Sequence, residues 1–214
     1  MARINNGFLE GMTGSLGNLV FYKRNGKTVV RQKPGPRKYT PTEQQIFQQK
    51  AFSIGQKFIA PLRRVLDHFY KDSSSKKEDG VNSSLSWVLK NAIENVDGEP
   101  KIIPEKIFLF RGYLSQLEGI QIRKMSTDLF EISWDAGSDT DFWKQHEKLV
   151  LVIYVPNRKL VHFIPEGKYR KEGSQLVTLP WKVSSEAEVY IFGGFCTVQK
   201  SKQEFSDIRF LGSI

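Results

Sequence analysis

The sequence predicts an α+β protein: an N-terminal β-hairpin and a long helix, then a C-terminal antiparallel β-sandwich. Three observations predict it. Two short apolar-rich runs flank Asn25-Gly26, the pair that a two-residue type I′ turn prefers. An apolar stripe recurs every three or four residues from Phe47 to Phe69, which is the helical period. From Lys106 onward, short apolar runs alternate with turn residues at even spacing, the pattern of a sandwich or barrel. The expected organisation is therefore a basic arm, hairpin and helical region over residues 1–104, and a β-sandwich over 105–214.

The elements follow in order. Gly7, Gly11, Gly14 and Gly17 punctuate the start, so an extended arm with turns is expected there in place of a helix. The hairpin pairs 19–24 with 27–32, setting Tyr22 opposite Val29, Phe21 opposite Val30 and Arg24 opposite Lys27. Pro34-Gly35-Pro36 ends the ribbon. Thr40-Pro41-Thr42-Glu43 reads as a helix start, with Thr40 as N-cap, Pro41 in the first helical position and Glu43 closing a capping box. The helix runs to about Tyr70, and Pro61 is expected to kink or divide it because proline lacks the amide its turn needs. Residues 72–80 form a polar break, and Leu85, Val88, Leu89 and Ile93 suggest a short second helix. Strands are expected at 106–113, 119–124, 129–134, 149–155, 160–165, 175–179, 187–198 and 207–211.

Charge locates the functional interest. Across residues 1–75 Lys and Arg outnumber Asp and Glu by nine, and in the remainder the two balance, so the whole net charge of +9 lies in the first third. No acid stands between Glu10 and Glu43, where Lys23, Arg24, Lys27, Arg31, Lys33, Arg37 and Lys38 all fall. Such a run suits an acidic protein surface or a polyanion.

Catalysis finds no constellation. His68, His146 and His162 lack metal-ligand spacing, and there is no phosphate loop, nucleophile elbow or dinucleotide fingerprint. Asp135, Asp139 and Asp141 are expected to be a solvated acidic turn. Gly193-Gly194 interrupts an apolar strand and reads as a bulge or a close packing contact. The lone Cys196 permits neither an internal disulfide nor a cysteine-rich zinc site and is expected to be a small buried residue. No catalytic residue, cofactor or metal is expected. With no apolar run of membrane-spanning length and no secretory pattern at Met1 to Glu10, the expected location is the cytoplasm, in a phage-like particle if the protein is structural.

Two resemblances add to this reading. The segment Gly14-Ser-Leu-Gly-Asn-Leu-Val-Phe-Tyr-Lys-Arg-Asn-Gly-Lys-Thr-Val-Val-Arg, with Pro36-Arg37 and Thr40-Pro41-Thr42-Glu43-Gln44, resembles an uncharacterised Bacteroidota family. That family has a glycine-rich "GNVVGYxWRGKxVVR"-like ribbon and a closing strand similar to Ser206-Asp207-Ile208-Arg209-Phe210-Leu211-Gly212, and its ribbon is similar to those of some phage and prophage structural proteins. The resemblance implies no catalytic residues. The last hundred residues resemble a fibronectin-III or immunoglobulin-like sandwich: Ile132-Ser133-Trp134-Asp135 is similar to its Trp-bearing second strand, and Val189-Tyr190-Ile191 to the strand of a tyrosine corner. Leu179-Pro180 stands farther from Tyr190 than that corner requires.

The expected function is therefore a non-enzymatic structural or assembly protein, prophage-related, that docks on a protein partner or a second copy of itself. Phe21, Tyr22, Val29 and Val30 would supply apolar contact, and Lys23, Arg24, Lys27, Arg31, Lys33, Arg37 and Lys38 attraction. The competing expectation is nucleic acid bound by the same basic and aromatic residues.

Overall fold

Both central residues of the expected turn take positive φ, 51° at Asn25 and 76° at Gly26, as a type I′ hairpin demands. The hairpin forms around them in the computed structural model, which describes residues 2–4, 11–35, 40–71, 80–137, 142–184, 187–199 and 202–214. Four antiparallel strands make up the N-terminal sheet: β1 (Ala2–Ile4), β2 (Gly14–Leu16), β3 (Leu19–Arg24) and β4 (Lys27–Gln32), in the order β1-β4-β3-β2. The arm thus adds a strand to each edge of the expected ribbon, and the expected register of β3 against β4 holds at every pair.

Residues Glu43–Ile214 form a second compact unit, and Met1–Thr42 the first. The unit opens with α1 (Glu43–Ile59), which begins two residues beyond Pro41. Pro61 does divide the helix: a 3₁₀ turn over Ala60–Leu62 absorbs it before α2 (Arg63–Tyr70). After α3 (Gly80–Trp87), a π turn over Val88–Ala92 leads into β5 (Ile93–Val96) and β6 (Glu99–Ile102). The short second helix was expected to include Ile93, but that residue is already extended, at φ −109° and ψ 124°. Asp97-Gly98 turns this second hairpin with positive φ at both residues.

The eight strands expected beyond residue 105 are all present: β7 (Phe108–Phe110), β8 (Gln121–Lys124), β9 (Leu129–Ser133), β10 (Lys148–Val155), β11 (Leu160–Ile164), β12 (Ser174–Thr178), β13 (Tyr190–Gln199) and, after the additional β14 (Lys202–Phe205), β15 (Ile208–Ser213). A short α4 (Phe142–Gln145) precedes β10. The strands build two antiparallel sheets, β12-β9-β8 and β11-β10-β13-β15-β7, with β14 paired to β13. One face of the larger sheet meets the smaller: Leu149, Leu151, Ile153, Ile191 and Phe195 pack with Phe130, Ile132 and Val177. This is the sandwich, and Trp134 at the end of β9 is buried within it, its Nε1 donating to the Arg170 carbonyl at 2.8 Å.

The other face of the larger sheet is covered too. Val150, Val152, Tyr154, Phe192 and Cys196 pack against Ile59, Leu62, Leu66, Phe69 and Val88 of the helical segment. Period-two alternation sends odd positions of β10 into the sandwich and even positions under the helices. Both sets are apolar, which is why Leu149 to Val155 reads as a continuous run. The expected division after residue 104 is therefore not where the chain separates. The helices share a core with β10 and β13, and the two units part after Thr42.

Three local readings can be settled. Gly193 and Gly194 are packing glycines: a Cβ on Gly193 would lie 2.8 Å from Leu211 Cδ1, and one on Gly194 2.6 Å from the Asp207 carbonyl oxygen. Cys196 is buried, and its thiol pKa is pushed up to about 11 by desolvation. Tyr190 makes no corner between the sheets, because its parity turns it to the helix-covered face, where its ring meets Phe58 and Phe210. Among the described residues no helix is long and apolar enough to cross a membrane, a statement about helices alone.

Candidate functional site

The N-terminal sheet carries the expected site residues, and its register sorts them by face. Directly opposed residues of an antiparallel pair share a face. Tyr22 with Val29, Arg24 with Lys27, and Val20 with Arg31 therefore lie on one side, and Phe21 with Val30 and Lys23 with Thr28 on the other. The expected apolar contacts do not behave alike. Phe21 and Val29 are buried, at 5% and 2% exposure, and serve as core, whereas Tyr22 and Val30 remain partly exposed. Thr28 is buried as well, a residue that periodicity did not single out; its Oγ1 accepts a 2.9 Å hydrogen bond from the Gly11 amide and holds the arm to the ribbon.

The cations do behave alike. Lys23, Arg24, Lys27, Arg31 and Lys33 are all exposed, and among the described residues no carboxylate forms an ion pair with any of them. The sequence explains this, since residues 11–42 contain no Asp or Glu. Arg37 and Lys38 lie outside the described residues. Arg24 and Lys27 face one another beside the turn, an opposition of like charges that weakens a hairpin unless an anion lies between them. A half-open concavity of about 350 Å³ lies there, lined by Arg24, Asn25, Lys27 and Val29.

In the second unit polar chemistry is used to hold structure. The buried Arg170 guanidinium donates to Glu147 Oε2 from Nε at 3.0 Å and from Nη2 at 2.6 Å, and Nη2 also donates to the Ser115 carbonyl at 2.8 Å. Its Cζ lies 3.8 Å above the Phe195 ring, which roofs the buried ion pair. The three histidines stay apart. His68 packs on Phe69, Phe163 and Phe205, His146 faces Tyr169, and His162 faces Trp181, where burial lowers its pKa. Among the described residues no three His, Cys, Asp or Glu side chains stand together as metal ligands. Asp139 and Asp141 of the acidic turn lie outside the described residues.

A model described as a family of unknown function (DUF6266) matches residues 11–209. No curated protein matches. A solved structure titled "Myokine structure" is 13% identical, over 47% of this chain and 98% of its own, with a TM-score of 0.32. At that score the likeness bears on neither fold nor function.

Proposed function

We propose, taking as premise that the chain belongs to the DUF6266 family of unknown function, that it is a non-enzymatic assembly protein that docks on a protein partner through its N-terminal sheet. One observation carries this reading. Four exposed cations stand on the sheet and Lys33 directly follows it, residues 11–42 hold no acid, and the described buried apolar side chains of the sheet are Phe21 and Val29. A small sheet gains stability from a surface that covers it. Leu16 and Leu19, paired across β2 and β3, are 64% and 44% exposed and would add apolar contact to the charge. A phage-like particle is the form of assembly that the ribbon's resemblance suggests. The test is co-purification of partners by the full chain and by a variant with Arg31→Glu and Lys33→Glu. Partners held by the wild type and released by the variant are the expected result; equal capture by both rejects docking through this sheet.

A second reading, nucleic-acid binding, draws on the placement of Tyr22 on the same face as Arg24, Lys27 and Arg31, the mixture that neutralises phosphates and stacks bases. Its signature is a binding constant whose logarithm falls linearly with the logarithm of salt concentration. A flat salt profile, or no binding at low salt, rejects it.

A further inference from the structure

We propose that the tip of the β3–β4 hairpin is a binding site for a terminal phosphate group, the kind that a phosphorylated side chain of the docking partner presents. This rests on the docking reading above and names the chemistry at one point of it. The concavity of about 350 Å³ has Arg24, Asn25 and Lys27 around it and the buried Val29 in its wall. Arg24 and Lys27 are cross-strand partners, so the turn that joins them pairs their backbones and sends both to one face. Neither has a carboxylate partner among the described residues, and residues 11–42 supply none. Two cations on one face, with no carboxylate partner among the described residues, favour an anion able to accept from both at once.

Charge and shape then favour a phosphate monoester over the alternatives. A monoester carries about −1.5 to −2 at pH 7 and offers three terminal oxygens, which matches a guanidinium fork and an ammonium together. A carboxylate brings one charge and two oxygens. A phosphodiester brings one charge and must thread its chain through both sides of the group, which suits an open groove better than a concavity at the end of a hairpin. The Asn25 side chain adds an amide donor to the same lining.

The experiment is an NMR titration of the ¹⁵N-labelled full chain with inorganic phosphate, dimethyl phosphate and sodium acetate at matched ionic strength. Saturable shifts at the Arg24, Asn25 and Lys27 resonances are expected with inorganic phosphate. Affinity should fall at least threefold from pH 7.5 to pH 5, where the dianion is lost. Arg24→Gln with Lys27→Gln should weaken binding at least tenfold, while Lys124→Gln, exposed on β8, should leave it within twofold. Equal response to acetate overturns the phosphate assignment, and equal response to dimethyl phosphate overturns the terminal-group assignment in favour of a nucleic-acid backbone. Should the double variant disturb the hairpin, seen as lost cross-strand contacts between Phe21 and Val30, the wild-type titration and its pH profile decide alone. Arg31 and Lys33 do not line the concavity. Partner capture that survives a failed phosphate titration and is lost on their reversal therefore removes the tip site and keeps the docking reading.

Discussion

The two units solve the problem of holding a sheet by opposite means. In the larger unit β10 and β13 are covered on both faces, by the helices on one side and by β12-β9-β8 on the other. Each enclosed side chain there contributes about 1.5–3 kcal/mol relative to exposure. In the N-terminal unit, the described buried apolar side chains are Phe21 and Val29, and all five described cations of the ribbon point to water. The difference separates the roles. The faces of β10 and β13 are used up in packing, whereas the described cations of the ribbon remain exposed.

That contrast can be broken most forcefully at Phe195, which lies between Arg170 and Trp134. Phe195→Ala should cost about 3–5 kcal/mol, read as a shift in the denaturant midpoint by tryptophan fluorescence, because it opens a cavity and unroofs an ion pair. A loss under 1 kcal/mol means that the sandwich repacks around the missing ring. Next in size is Phe21→Ala, for which hydrogen exchange should show loss of protection across residues 19–32 while the amides of β10 keep theirs. Retained protection in the ribbon would show that its stability comes from elsewhere. A smaller effect concerns pH. Burial raises the Cys196 thiol to about 11 and the Tyr154 hydroxyl to about 12, so the folded state holds protons that the unfolded state releases. The contribution of these two groups should therefore be full below about pH 8 and be lost from there towards pH 11 and beyond, with part of the slope removed in Cys196→Ala. The smallest change is the most pointed. Arg24→Gln with Lys27→Gln should stabilise the hairpin by a few tenths of a kcal/mol, seen as slower exchange of its amides at low salt, while weakening partner capture. Gain of stability with loss of binding is the mark of charge kept for an external anion.

Much of this was legible in the residues, for identifiable reasons. The β3–β4 register follows from Asn25-Gly26, because a two-residue turn leaves no freedom in pairing. The eight strands after residue 105 declare themselves through apolar runs and turn residues. The β5–β6 hairpin did not, although Asp97-Gly98 offers the same kind of turn signal. Its arms are Ile-Glu-Asn-Val and Glu-Pro-Lys-Ile, mostly polar and with Pro100, so nothing marked them as strands beside an apolar helical pattern. The division at 104 misled for a different reason. Charge and secondary-structure type change there, but a core is set by which faces are apolar, and the uninterrupted run of β10 is the signal that a second layer must cover it. At the candidate site Lys23, Arg24, Lys27, Arg31 and Lys33 are exposed, and Arg37 and Lys38 lie outside the described residues. The split of Phe21 and Val29 from Tyr22 and Val30 was not legible, because burial of alternate positions on both sides of a ribbon depends on what lies over it.

The two-sided burial of the central strands also sets a schedule for the chain during its synthesis. Ile59, Leu62, Leu66 and Phe69 emerge long before β10 and β13, the strands that cover them. At roughly 5–20 residues per second, the interval between Ala92 and Cys196 lasts about 5–20 s. Throughout that time the helices hold an apolar face for which the partner does not yet exist. The larger unit consequently closes late, once β13 has been made.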